Sequence, residues 1–386
     1  MAVDGIGPLV AADETLNHQI VDTFGTVRES DRSWTEKLWL SLARKDGALQ
    51  IDFGLGRYQN RGIMDGFGGV SRGREQWTVR GSRELRGDPA TAVGPVAYEV
   101  LEPLNSVRVR LAESDVLDVS FDLVFTGALP PFLEGRNEFR DATGRIASDV
   151  IRYHQSGSVS GWVSAGGERH EVTPGEWFGF RDHSWGVRGD AVGVPPTDVP
   201  AVTPGVSSGR GFMHWTPWLL TRPDGTAYEI QQFIMEASGA RVVDTAFLNT
   251  PDGRQRRIRG VQPEVRYDPV TRFLAGGEVH LELDSGDKRT VQVEPVGDSG
   301  FFLRTGGYGF WEGHRHGTWH GGPLHVDGEY ISDCWAPDTL RKLGQLRDRP
   351  VRLRDGDAEG YGIFESIIIG VWPELALGED SDYGGY

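Results

Sequence analysis

The 386-residue chain has one cysteine, Cys334. A lone thiol excludes an internal disulfide and a cysteine cage for a metal, and it fits a reducing compartment. No run approaches the roughly 18 apolar residues of a membrane-spanning helix, so no membrane insertion is expected. Met1 to Glu14 lacks both a basic stretch and a continuous apolar core. No signal peptide is therefore expected, and the location reads as cytoplasmic. Positive charge is also short, with 40 Lys and Arg against 56 Asp and Glu, a net −16. Nucleic acid needs a basic footprint to displace counterions, so that partner is excluded, as is an anionic membrane surface. There is no Walker loop, no dinucleotide fingerprint between strand and helix, and no Gly-x-Ser-x-Gly elbow. Redox and phosphoryl-transfer chemistry lose ground, and no cofactor is expected.

Glycine is what the chain has in excess. Its 54 glycines are about twice the usual share of roughly 7%. They stand singly or in pairs between short apolar stretches, as in Asp224-Gly225 and Asp252-Gly253. That distribution predicts many tight turns between strands. Leu49, Ile51, Phe53 and Leu55 alternate with Gln50, Asp52 and Gly54, and similar runs recur about every ten residues. The fold class is all-β: two antiparallel lipocalin-like barrels or sandwiches packed together, with few short helices. One short helix is expected near Glu14 to Phe24. Asp338 to Leu346 reads as another, capped by its aspartate, with leucines at 340, 343 and 346. Gly193 to Gly209 carries four prolines and no apolar period, and so marks a boundary. The expected organisation is an arm over 1–30, a first domain over 31–194, a linker or lid over 195–210 and a second domain over 211–386.

The densest chemistry lies in Gly179-Phe180-Arg181-Asp182-His183-Ser184-Trp185-Gly186-Val187-Arg188. On a strand, alternate side chains share a face. Arg181, His183 and Trp185 then point one way, and Phe180, Asp182 and Ser184 the other. His183 can titrate near neutrality beside an indole, which suits proton transfer to an apolar substrate. Asp182 is expected to pair with Arg188 or Arg181 at the strand end.

With Tyr153-His154-Gln155-Ser156-Gly157, Gly161-Trp162 and Gly360-Tyr361-Gly362-Ile363-Phe364-Glu365, that stretch resembles the two-domain lipocalin-like family of carotenoid 1,2-hydratases and AttH-type proteins. The resemblance implies addition of water to a terminal prenyl double bond without a redox cofactor, or the reverse dehydration of a tertiary alcohol. It places the family's acid–base pair at His183 and Trp185. The family's Tyr-x-Asp on the next strand is missing here, where the chain reads Phe212-Met213-His214-Trp215. Either His214 or a carboxylate from another strand takes over, or the chemistry differs.

Two lone acids in apolar settings compete with Asp182. Asp65 stands in Ile63-Met64-Asp65-Gly66-Phe67, and Glu365 in Ile363-Phe364-Glu365-Ser366-Ile367. Burial would raise either pKa and make a general acid, although Asp-Gly is also an ordinary hairpin signal. The candidate catalytic residues are thus His183, Asp182, Asp65 and Glu365. Trp185, Trp215, His214, Phe67, Met64 and Tyr58 are the candidate substrate contacts, since aromatic faces stabilise a desolvated cation. His314, His316 and His320 would share a face on a strand, but no acid or cysteine stands beside them at a ligand spacing, so a pocket rim is favoured over a metal. The expected function is a cofactor-independent hydro-lyase. Its substrate would be a hydrophobic small molecule, an isoprenoid tertiary alcohol of the linalool type or its alkene. A non-catalytic carrier or a polyene cyclase is the alternative, and a homo-oligomer is compatible with the sequence.

Overall fold

The structure, a computed structural model, describes residues 29–140, 144–188, 209–237 and 239–378, with scattered positions between 9 and 26. Its first strands are β1 (Trp34–Arg44), β2 (Gln50–Tyr58), β3 (Ile63–Arg72), β4 (Glu75–Glu84), β5 (Ala92–Val93), β6 (Val96–Glu102) and β7 (Ser106–Leu111). Then come β8 (Val119–Gly127), β9 (Phe132–Arg140), β10 (Ile146–Ala165), β11 (Glu168–Val172) and β12 (Trp177–Arg188). The later strands are β13 (Gly211–Thr221), β14 (Ala227–Ala237), β15 (Ala240–Asn249), β16 (Gln255–Tyr267), β17 (Leu274–Leu283), β18 (Lys288–Pro295) and β19 (Phe301–Phe302). Last are β20 (Leu324–Ile331), β21 (Arg347–Asp355) and β22 (Ala358–Ile369), with one α-helix, α1 (Pro337–Leu343), between β20 and β21.

The fold is all-β. One 13-stranded sheet runs β20-β4-β3-β2-β1-β12-β10-β8-β7-β6-β5, with β9 and β11 also on β10. The other runs β18-β17-β16-β15-β14-β13-β22-β21-β19, and a β18–β21 pairing closes eight of its strands into a ring. Pairings are antiparallel throughout, as the short glycine turns require. The stretch 211–386 returns one strand to the first sheet, because β20 pairs with β4.

Each sheet has its own interior. Leu38, Leu40 and Leu42 of β1 point into the first core, and Trp218 and Leu220 of β13 into the second. A third apolar cluster lies between the sheets, built from Trp39, Ala43, Phe67, Phe178, Phe180, Trp215, Ile363 and Ile367. The odd residues of β1 are therefore buried as completely as the even ones: Lys37, Trp39, Ser41 and Ala43 are all covered. A face that alternation marks as polar lies here under a second sheet.

Several local expectations change. Near the N-terminus the described residues hold a single 3-10 turn, Ala11–Glu14, and residues 21–26 form bends and turns rather than a helix. Helix α1 ends at Leu343 and has Ala336 as its cap with Pro337 following, so Asp338 sits in the first turn and does not cap it. Proline suits that first helical position, because its missing N–H has no acceptor there anyway. Residues 301–306 form two residues of β19 followed by a 3-10 turn. Residues 195–208 of the expected linker and part of the 1–30 arm, residues 1–8 among it, lie outside the described residues. No described helix is long and apolar enough to cross a membrane.

Candidate active site

One transverse row of the first sheet gathers the chemistry. Asp65 on β3 is opposite Gly56 on β2, Gly56 opposite Lys37 on β1, and Lys37 opposite Ser184 on β12. Ser184 is opposite Arg152 on β10, which reaches Glu134 on β9. Residues directly opposite one another put their side chains on the same face, and this face is the one that the second sheet and the 303–320 segment cover. Gly56 matters because it is bare. A Cβ there would lie 2.7 Å from Asp65 Oδ1 and closer still to the Tyr58 hydroxyl. Its absence lets Tyr58 cross β2 and donate a hydrogen bond to Asp65 Oδ1 at 3.0 Å. Gly56→Ala is expected to break that contact and lower stability by about 1–3 kcal/mol, read as a lower urea midpoint with an unchanged slope.

The other oxygen of Asp65 meets the covering segment. The backbone N–H of Gly317 donates to Oδ2 at 2.6 Å, and His316 Nδ1 lies 3.9 Å from the same oxygen. Gly317 has φ +70°, a left-handed conformation for which glycine is suited. Burial pushes Asp65 up to about 6, against the Gly317 hydrogen bond and the attraction of Lys37, which favour the anion. Burial, with Lys37 and Arg188 nearby, holds His316 well below the usual imidazole range. It is a neutral base. Its Nε2 is buried and meets no hydrogen-bond partner among the described residues.

Asp65 and His316 line one small pocket, part of it open to solvent. Leu55 and Phe67 form an apolar wall, while Arg80, Ser82 and Thr318 add polar groups. Phe67 stacks on Phe301 at 5.9 Å and meets the Tyr308 ring edge-on at 6.3 Å. The mouth carries His314, His320 and His325. His314 and His325 each bring Nε2 to Asp327 Oδ2, at 3.0 and 2.9 Å. His316 is thus separated from His314 and His320, because 314–320 runs through turns rather than a strand. Among the described residues no group of three or more His, Cys, Asp or Glu is arranged to hold a metal ion.

The structure divides the other expected site residues among three places. His183 and Trp185 point away from Asp182, as strand alternation predicts, and so away from the Asp65 cavity. His183 bonds Glu36 Oε1 at 2.9 Å through Nε2, its Nδ1 lies 3.3 Å from the Tyr153 hydroxyl, and Trp185 lies edge-on at 5.5 Å. A proton exchange between His183 and Asp65, Asp182 or Glu365 is therefore blocked by the sheet itself. Asp182 does pair with an arginine, but with Arg152 Nε at 3.2 Å rather than Arg181 or Arg188. Arg181 points to the opposite face and binds Gln155, whereas Arg188 donates to the Ser184 hydroxyl.

Glu365 lies between the sheets in a different cluster. It meets Asp348, which also meets Asp52 and accepts a hydrogen bond from Trp39 Nε1 at 3.0 Å. Burial holds both Glu365 and Asp348 far above the carboxylate range, helped by repulsion from Asp348 at Glu365 and from Asp52 at Asp348; burial pushes Asp52 up to about 7. Trp215 packs edge-on against Trp39 at 4.9 Å in the same seam. His214 instead faces the interior of the second sheet, 2.5 Å from the Tyr267 hydroxyl. Met64 points into the first core, where its sulfur meets Arg83. Of the ten candidates, Asp65 and Phe67 line the pocket, and Tyr58 bonds Asp65 from beside it. His316, which the sequence placed only with a pocket rim, lines it as well, and Lys37 lies in the same row of the sheet without lining the pocket.

A family model matches residues 9–376, a span that includes every one of these groups. The chain belongs to the family of unknown function DUF8625. No curated protein matches it. Among solved structures, this DUF8625 protein is similar to kievitone hydratase from Nectria haematococca, at 12% identity and a TM-score of 0.47, over 86% of this chain and 88% of that one. Membership in DUF8625 brings no assigned activity, so the argument for function rests on the cavity.

Proposed function

We propose that this DUF8625 protein is a cofactor-independent hydro-lyase in which Asp65 is the acid and His316 the base. One observation carries the reading: Asp65, its pKa pushed up to about 6 by burial, and His316, held neutral by burial, stand 3.9 Å apart at one pocket. In the water-losing direction the Asp65 carboxyl gives its proton to the substrate hydroxyl, and the C–O bond breaks to release water. His316 Nε2 then takes the proton from the neighbouring carbon, and the double bond forms. Tyr58 and the Gly317 N–H hold the carboxylate that Asp65 becomes. Phe67, backed by Phe301 and Tyr308, offers ring surface to the cation-like state, worth about 2 kcal/mol when desolvated. The substrate proposed is an isoprenoid tertiary alcohol of the linalool type, or the matching alkene in reverse.

The test is gas chromatography of the purified protein with a panel of tertiary terpene alcohols and their alkenes. Water loss or gain is expected, and is expected to disappear in His316→Ala. Binding of the whole panel without any turnover would establish the carrier instead.

A further inference from the structure

Four of the chain's ten histidines, His314, His316, His320 and His325, line the Asp65 pocket, together with Arg80 and Arg315. Among the lining residues only Asp65 and Asp327 are acids. At the mouth both oxygens of Asp327 are engaged. Arg80 Nε donates to its Oδ1 at 2.8 Å, and His314 and His325 bring Nε2 to its Oδ2. His320 differs from these neighbours. Its ring lies 4.7 Å from that of His314 and 4.9 Å from that of His325, centroid to centroid, and among the described residues it makes no hydrogen bond. It is half-buried at the rim, with both ring nitrogens left for a ligand. A hydrocarbon laid over such a rim would desolvate imidazole and guanidinium groups without pairing them, which costs free energy, whereas an oxyanion would satisfy them.

From this rim we infer that the substrate of the Asp65–His316 site carries an anionic head group, a carboxylate or a phosphate ester, which His320 binds at the mouth in the positive field of Arg80 and Arg315. The inference rests on the proposed function for the acid–base pair, and it narrows the substrate to isoprenoid alcohols that also bear an acid. Burial, then repulsion from His314 and His325, holds the His320 imidazole below its usual range; Asp327 opposes that shift and Arg80 adds to it. An anion beside the ring offsets the repulsion and favours the imidazolium, which donates from both nitrogens. Binding therefore takes up a proton and tightens as the pH falls.

The test compares three isoprenoids of one carbon skeleton, geraniol, geranic acid and geranyl phosphate, by isothermal titration calorimetry. It needs no turnover. At pH 6 at least one of the anions is expected to bind about tenfold more tightly than geraniol, the usual worth of a charge-assisted hydrogen bond. The larger gain identifies the head group. The advantage is expected to shrink at pH 8.5 and to disappear in His320→Gln. Circular dichroism reports the fold of the variant, and the wild-type comparison stands without it. Anions that bind no more tightly than geraniol, or a preference that persists in His320→Gln, would overturn the inference and leave the hydro-lyase standing. Preferential binding of an anion by a protein that neither adds nor removes water in the terpene assay would uphold the anion site and remove the dehydratase.

Discussion

Asp65→Asn is expected to lower turnover by about 10² to 10⁴, the usual contribution of a positioned acid. The variant keeps the shape of the carboxyl and an oxygen for Tyr58 and Gly317 to donate to, so the fold is expected to stand. The wild-type pH profile carries the same information. Asp65 is active when protonated, and burial sets its pKa at about 6. Water-losing turnover is therefore flat below about pH 6 and falls roughly tenfold per pH unit above it. His316 adds no acidic limb near pH 6, because its pKa lies well below the ordinary 6.5. A profile that rises from pH 5 to 8 would assign the acid's task to some other group. Circular dichroism of the variant separates lost chemistry from lost fold.

Glu229→Gln is expected to stabilise the protein, increasingly as the pH rises from about 4.5 to about 7 and fully above that. Glu229 on β14 is fully buried between the sheets and accepts a hydrogen bond from the Ser156 hydroxyl at 2.6 Å. Burial raises its pKa from 4.5 to about 7. The folded state thus holds this proton more tightly than the unfolded chain does. Linkage then gives stability that is complete below about pH 4.5 and lost as the pH rises to about 7. The difference between the two pKa values corresponds to about 3 kcal/mol at pH 8. A glutamine accepts the same bond from Ser156 and has no proton to lose. Its urea midpoint should exceed the wild type's at pH 8 by an amount worth about 2–3 kcal/mol, and match it at pH 4. An equal gain at both pH values would mean that packing, not ionisation, is responsible.

The fold was legible where both the turn chemistry and the alternation were strong. Leu38, Leu40 and Leu42 mark a strand with one buried face, and the Asp-Gly pairs close hairpins at Gly225 and Gly253. A strand such as β9 is not legible in this way, because Phe-Leu-Glu-Gly-Arg-Asn-Glu-Phe-Arg carries no clean period. The return of β20 to β4 is a long-range pairing that local pattern cannot carry. The site failed for a related reason. Lys37 alternates with leucines, as a solvated lysine on an outer face would, and only the second sheet turns that face inside. Asp65 stands out in the sequence because its neighbours are Ile63, Met64 and Phe67. His316 was grouped with His314 and His320 by spacing on a strand that does not form. His183 drew notice through the density of polar groups around it, yet alternation already placed it on the face opposite Asp182.

The central claim is that acid–base chemistry belongs to the covered outer face of the first sheet and not to its interior. The most direct test compares Asp65→Asn with His183→Ala in the terpene-alcohol assay. Turnover that survives in His183→Ala and disappears in Asp65→Asn is the predicted result. Turnover that survives in Asp65→Asn and disappears in His183→Ala would contradict the account.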